Sequence, residues 1–177
     1  MNLRDSQKLA KFAYEIAAHE CGHMVVLFTA DRLDALNFYP HETAFDGSKG
    51  VVQTDAKSAI GKEDCAALAG SLVAELICFG SCDSPRLDDD RQLIQRIAGH
   101  PLENFALSAY EVIKQNIVFF GLLRIEVQKT LFAVLHEAFW AKCYAALPIK
   151  MPVISLAEVK QVHKRAESTL AGFPRKT

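Results

Sequence analysis

The chain has 177 residues, of which 50% are apolar and 23% charged, enough for one hydrophobic core and too few for two ordinary domains. Its net charge of -1 gives no electrostatic reason to expect nucleic acid or an anionic membrane as a partner. Since no signal-peptide core and no apolar stretch of membrane-spanning length occurs, we predict one cytoplasmic domain over residues 1–177, with its core at about 6–170.

The first half of the chain is predicted to contain two helices and a hairpin. The first helix runs from about Ser6 to Thr29, where apolar residues and histidines repeat at helical spacing. Two β-like runs, Leu36–Tyr39 and Val51–Thr54, flank a Pro/Gly/Asp-rich connection and predict an irregular hairpin. We also expect the first of these strands to offer a sheet edge to an extended peptide. A second helix at about Lys62–Phe79 ends before a glycine.

The second half is predicted to be helical throughout. The segment DDDRQLIQRIA begins a third helix, and its three acids suit the positive end of the helix dipole. Two longer helices are expected at about 102–119 and 122–146, separated by Gly121. Ser155 and Glu158 form a capping box for a last helix. The predicted fold is therefore mostly α, with a small β hairpin or sheet beside the first helix.

Five cysteines are present, an odd number, and no two of them form a CxxC pair. This pattern argues against a disulfide framework and against a thiolate zinc site. We therefore predict that the cysteines are buried, reduced thiols.

The first helix contains the sequence HECGH at residues 19–23. Because His19 and His23 are one helical turn apart, their imidazoles can reach one metal ion. Glu20 lies about 100° around the helix, where it could serve as general base toward a metal-activated water. The alternative is a chance pattern on a core helix. Burying three polar groups together is costly unless something pairs them, so we favour a metal site.

A catalytic zinc ion usually has three protein ligands and one open position. The other histidines are scattered along the chain, and none follows His23 at the spacing of an extended zinc motif. The acidic candidates for the third ligand are Glu75 on the second helix and Asp88, Asp89 and Asp90 on the third. The aspartates are also explained by the helix dipole alone, so this choice stays open on the residues themselves.

These segments resemble the peptidase domain of FtsH-type ATP-dependent zinc proteases, a family that carries a HEAGH-like motif. ALNFYPH and GVVQTD look like its strand, proline turn and second strand. AGSLVAELICFG is similar to its small-residue helix, and DDDRQLIQRIA to the segment in which an aspartate completes the zinc site. The resemblance covers about residues 10–165 and is looser toward the C-terminus.

The resemblance implies a helical zinc-peptidase domain in which Zn²⁺ is bound by His19, His23 and Asp90, with Glu20 as the catalytic base. Asp89 is the alternative third ligand, because two registers of the third helix are possible. The implied activity is that of a zinc endopeptidase, which hydrolyses peptide bonds.

Other implications concern the helix acid and the partners. Glu75 matches an acid of the family that would orient a histidine. Arg91 stands where the family is usually apolar, a departure that bears on the register of the third helix. The chain contains no G-x-x-x-x-G-K-[ST] loop, so we expect it to act on peptides or unfolded proteins, alone or with a separate ATPase or unfoldase. A homo-oligomer is an expected assembly.

Two other functions compete with the enzyme. One is a catalytically inactive peptidase-like module that binds peptides or acts as an adaptor. The other is a structural metal site, which would have a fourth protein ligand and no open position.

Overall fold

The computed structural model describes residues 3–38, 52–144 and 153–172. The helices in these ranges are α1 (Leu3–Thr29), α2 (Cys65–Phe79), α3 (Leu87–Ala98), α4 (Ala106–Gln115), α5 (Ile117–Tyr144) and α6 (Leu156–Ala171). The strands are β1 (Leu33–Phe38), β2 (Val52–Ala56) and β3 (Val153–Ser155). The predicted mostly α fold with a small β element is confirmed. None of the described helices combines the length and apolar character needed to cross a bilayer.

The centre of the fold is a close crossing of α1 and α2. A Cβ atom built on Gly22 would lie 2.2 Å from the carbonyl oxygen of Gly70, and one built on Gly70 would lie 2.3 Å from that of Gly22. The two backbones therefore touch, and no side chain fits between them. This contact brings the histidine face of α1 against the small, buried side chains of α2.

The start of α2 is fixed to the sheet by a buried carboxylate. A 3₁₀ turn over Lys62–Asp64 precedes the helix, and Arg32, just before β1, donates to both oxygens of Asp64 at 3.0 and 2.6 Å. At its other end α2 stops at Gly80, which has a φ of 71° and donates its N–H to the carbonyl of Leu76. The predicted second helix and its glycine stop are confirmed.

The sheet has three antiparallel strands in the order β2-β1-β3. Leu36 of β1 lies opposite Thr54 of β2 on one side and opposite Ile154 of β3 on the other. The predicted pairing of the two hairpin strands is confirmed, and their connection lies outside the described residues. The expected free edge on the first strand is wrong for residues 36–37, because these are paired on both sides. The additional partner, β3, is too short to give a sequence signal.

The boundary between α4 and α5 lies at Asn116, so the predicted break at Gly121 is wrong. The side-chain amide of Asn116 donates to the carbonyl of Val112 at 2.9 Å, a local bond that competes with helix continuation. Gly121 lies inside α5, where an added Cβ would meet nothing within 4 Å. At α6 the predicted capping box is confirmed, with Ser155 and Glu158 bonded reciprocally.

Candidate metal centre

Three candidate ligands from the sequence meet in one buried place. His19 and His23 lie on the inner face of α1, and Asp90 lies in the first turn of α3. All three residues are buried, at 6%, 8% and 9% exposure. Together they form a group whose ligand atoms could hold one metal ion, and the group contains no fourth His, Cys, Asp or Glu from the described part of the chain.

The three facing atoms form a nearly equilateral triangle. The Nε2 atoms of His19 and His23 are 3.3 Å apart, and Oδ2 of Asp90 lies 3.5 and 3.4 Å from them. Ligands at about 2.0–2.1 Å from a tetrahedral zinc ion are separated by about 3.3–3.4 Å. The triangle therefore fits one face of a zinc tetrahedron. Two imidazoles and one carboxylate are ligands typical of zinc and other transition-metal ions, whereas calcium and magnesium prefer sites built from oxygen atoms.

Each imidazole is oriented by a bond at its other nitrogen. Nδ1 of His19 donates to Oε1 of Glu75 at 2.9 Å, and Nδ1 of His23 donates to the carbonyl of Ala67 at 2.9 Å. Because a carbonyl or a carboxylate accepts the bond, the proton of each neutral ring is assigned to Nδ1. This tautomer leaves both Nε2 lone pairs pointing into the triangle, the arrangement found in metal-binding histidines.

The group is electrostatically suited to a cation. Burial acts to lower the pKa of His23, but the charge and hydrogen bond of Asp90, with smaller contributions from Glu20 and the carbonyl of Ala67, together raise that pKa to about 9. Burial acts to raise the pKa of Asp90, and the charges of His23 and His19 bring it below its ordinary value. In metal-free protein at neutral pH, a proton on His23 thus takes the position that a metal ion would occupy.

One face of α2 supplies a partner to every member of the triangle. Ala67, Ser71 and Glu75 follow each other at intervals of four residues and lie on one side of the helix. The carbonyl of Ala67 and the carboxylate of Glu75 hold the two imidazoles. Between them, Oγ of Ser71 lies 2.5 Å from Oδ2 of Asp90. We call these three residues the α2 support row.

The predicted base, Glu20, lies at the edge of the site and is half-buried. Its Oε2 accepts a hydrogen bond of 2.6 Å from the hydroxyl of Thr54 on β2. Its negative charge is one of the smaller contributions to the raised pKa of His23. The sheet therefore fixes one oxygen of Glu20.

The other acids of α3 lie away from the triangle. Asp88 and Asp89 are exposed, whereas Leu87, Asp90 and Ile94 form the buried face of the helix. Between the two aspartates considered from the sequence, the fold thus places Asp90 beside the histidines.

The cysteines described by the structure, Cys21, Cys65, Cys78 and Cys82, are free. The predicted burial is confirmed for Cys21 and Cys65 and is wrong for Cys78 and Cys82, which are half-buried. The thiol of Cys21 lies inside the HECGH segment and is fully buried. Burial, with the Glu20 charge as a smaller contribution, raises its pKa well above the ordinary value. A neutral thiol is a poor metal ligand, so Cys21 serves packing.

Sequence reasoning missed Thr54, Ser71 and the carbonyl of Ala67. No family model, no curated protein and no solved structure matches this chain. The resemblance to FtsH-type peptidases and the ligand roles of His19, His23 and Asp90 therefore stay predictions, and the geometry of the site carries the functional argument.

Proposed function

We propose that this chain is a zinc-dependent endopeptidase in which His19, His23 and Asp90 hold the ion and Glu20 is the general base. The observation that carries the proposal is the triangle of 3.3, 3.4 and 3.5 Å formed by two Nε2 atoms and one Oδ2 atom. It has the size of a tetrahedral face and leaves one corner without a protein ligand among the described residues.

A zinc ion held there would supply Lewis acidity toward a peptide carbonyl and toward water. The chain's own contribution to hydrolysis is positioning and proton transfer. Thr54 holds Oε2 of Glu20 at 2.6 Å, and we assign proton acceptance from the attacking water to this carboxylate. The same carboxyl group then returns the proton to the leaving amine. The support row holds the ligands during this exchange.

Two features favour catalysis over a purely structural metal site. A structural site is closed by four protein ligands, whereas the described residues supply three. A structural site also has no use for Glu20, a half-buried carboxylate fixed beside the ligands by a side chain of another element. The similarity of the surrounding segments to FtsH-type peptidases points the same way and suggests peptides or unfolded proteins as substrates, with a separate unfoldase as a candidate partner.

The test compares the wild type with Glu20→Gln. The metal content of each purified protein is measured by mass spectrometry, and hydrolysis is measured with casein and with a fluorogenic peptide. Because the amide of this variant cannot accept the proton, we expect unchanged zinc content and a loss of cleavage of at least about 100-fold. The matched control is Glu15→Gln, which removes a carboxylate from the same helix where it pairs with Arg86, outside the site.

The outcomes separate the candidate functions. Cleavage that is lost in Glu20→Gln, retained in Glu15→Gln and abolished by a chelator supports the enzyme. Equal cleavage by wild type and Glu20→Gln removes Glu20 from the mechanism. Zinc binding without cleavage of either substrate by the wild type favours the peptide-binding module instead.

A further inference from the structure

A single oxygen atom of Asp90, Oδ2, contacts both histidines and Ser71. Oδ2 faces the Nε2 atoms of both histidines at 3.4 and 3.5 Å, and Oγ of Ser71 approaches the same atom to 2.5 Å. A carboxylate oxygen has two lone pairs. One lone pair of Oδ2 can therefore point to the centre of the triangle while the other accepts a bond from outside it.

Ser71 is placed to make that outer bond. Its side chain is fully buried on α2, in the middle of the support row. Its hydroxyl contacts two acceptors, Oδ2 of Asp90 at 2.5 Å and the carbonyl of Leu68 at 2.8 Å. A hydroxyl has one proton to donate. The charged, closer acceptor forms the stronger bond, so the proton goes to Asp90.

Asp90 depends on this bond more than the histidines depend on theirs. Each imidazole is rigid and is carried by α1, whereas Asp90 comes from another helix and its carboxylate can rotate about its last bond. Burial in a site of low polarity makes an unoriented carboxylate expensive. The hydroxyl bond both orients the carboxylate and helps to compensate for its lost hydration.

We infer that Ser71 is a positioning residue for the metal: its hydroxyl selects Oδ2 of Asp90 as the ligand atom and holds it toward the histidines. This inference rests on the proposed metal site and does not depend on peptide hydrolysis. Ser71 touches neither substrate nor metal and acts through Asp90. The α2 support row then contains one hydrogen-bond partner for each of the three proposed ligands.

The test measures the zinc dissociation constant of the full chain by competition with a chromophoric chelator at fixed pH. The constants are compared in a double-mutant cycle that consists of the wild type, Ser71→Ala, Asp90→Asn and the double variant. We expect Ser71→Ala to weaken zinc binding by about 10–100-fold. In the Asp90→Asn background the same substitution should change the constant by less than about twofold, because the carboxylate that Ser71 orients is absent.

A second measurement reports geometry. The visible absorption of the Co²⁺-loaded protein depends on how nearly tetrahedral the ligands are, and Ser71→Ala should alter it. The matched control is Thr130→Val, which removes a half-buried hydroxyl bonded to the carbonyl of Glu126 in its own helix. It tests whether removing a hydroxyl from a helix weakens zinc binding by itself.

Each outcome decides the inference. A weakened affinity that disappears in the Asp90→Asn background supports it, as does an altered cobalt spectrum with an unchanged circular dichroism spectrum. A zinc constant for Ser71→Ala within about twofold of the wild type overturns it, and so does an equal loss in both backgrounds of the cycle. Failure of the wild type to bind zinc overturns the site itself. Tight binding without peptide cleavage refutes only the proposed function.

Discussion

Replacing Gly22 by alanine tests whether the contact of α1 and α2 builds the site. The new Cβ would lie 2.2 Å from the carbonyl oxygen of Gly70 and 2.8 Å from the amide of Ser71. Both obstacles are backbone atoms, so no side-chain rotation relieves the clash. The helices would have to separate by about 1 Å or more at this point to reach an ordinary contact distance.

That separation determines how much stability and zinc affinity Gly22→Ala loses. Overpacked cores lose about 1–3 kcal/mol of stability, and we expect the upper end because two rigid helices must move. The bonds from His19 to Glu75 and from His23 to Ala67, each 2.9 Å, would be stretched beyond hydrogen-bonding range. With two orienting bonds lost, zinc affinity should fall by about 100-fold or more.

The assay is urea unfolding of the metal-free protein, followed by chelator competition on the folded variant. Gly121→Ala is the matched control, because it adds the same methyl group inside α5, where nothing lies within 4 Å. It should raise the free energy of unfolding by about 0.5–1 kcal/mol. If Gly22→Ala unfolds at the urea concentration of the wild type, the two backbones do not touch and the reasoning fails.

Three further predictions address the groups around the ligands. Glu75→Gln removes a charged acceptor from an imidazole and should weaken zinc binding by about 10–100-fold in the competition assay; an unchanged constant would contradict that role. Thr54→Val should lower kcat about 10-fold while KM and zinc content stay constant, Thr54→Ser should restore activity, and a fall in zinc content would instead indicate a structural role for this hydroxyl. The third concerns pH. The pKa of His23 is about 9 in the fold, against an ordinary value of 6.5. In the metal-free protein, protonated His23 next to Asp90 therefore stabilises the fold. This contribution is complete below pH 6.5 and is lost as pH rises through about 9. The melting temperature should decline over that range in wild type and less in His23→Gln, and equal slopes would refute the assignment.

The site could be predicted from the sequence where a local spacing encodes it. Histidines one turn apart on an apolar helix face must project together, and this needs no tertiary information. The same logic could have selected Asp90 over Asp89. Leu87, Asp90 and Ile94 share one face of α3, and that face is the buried one. Charge alone left the choice open because three adjacent acids are equally favoured by the helix dipole.

The other residues of the site could not be predicted, because their roles depend on how the helices and the sheet pack against each other. Ser71 and the carbonyl of Ala67 become partners of the ligands only because Gly22 and Gly70 let two helices meet at their backbones. Thr54 reaches Glu20 only through the register of the sheet. A hydroxyl in a helix and a threonine in a strand have many ordinary explanations, so their sequence positions carry no chemical signal by themselves.

The group of His19, His23 and Asp90 joins residues 71 positions apart in the sequence, supported by a helix that lies between them in the chain. An unfolded chain cannot present these atoms together, so a metal ion that binds them binds the native state alone. The melting temperature should then rise with the concentration of free zinc. Above the dissociation constant, every tenfold increase in free zinc would add about 1.4 kcal/mol to the unfolding free energy.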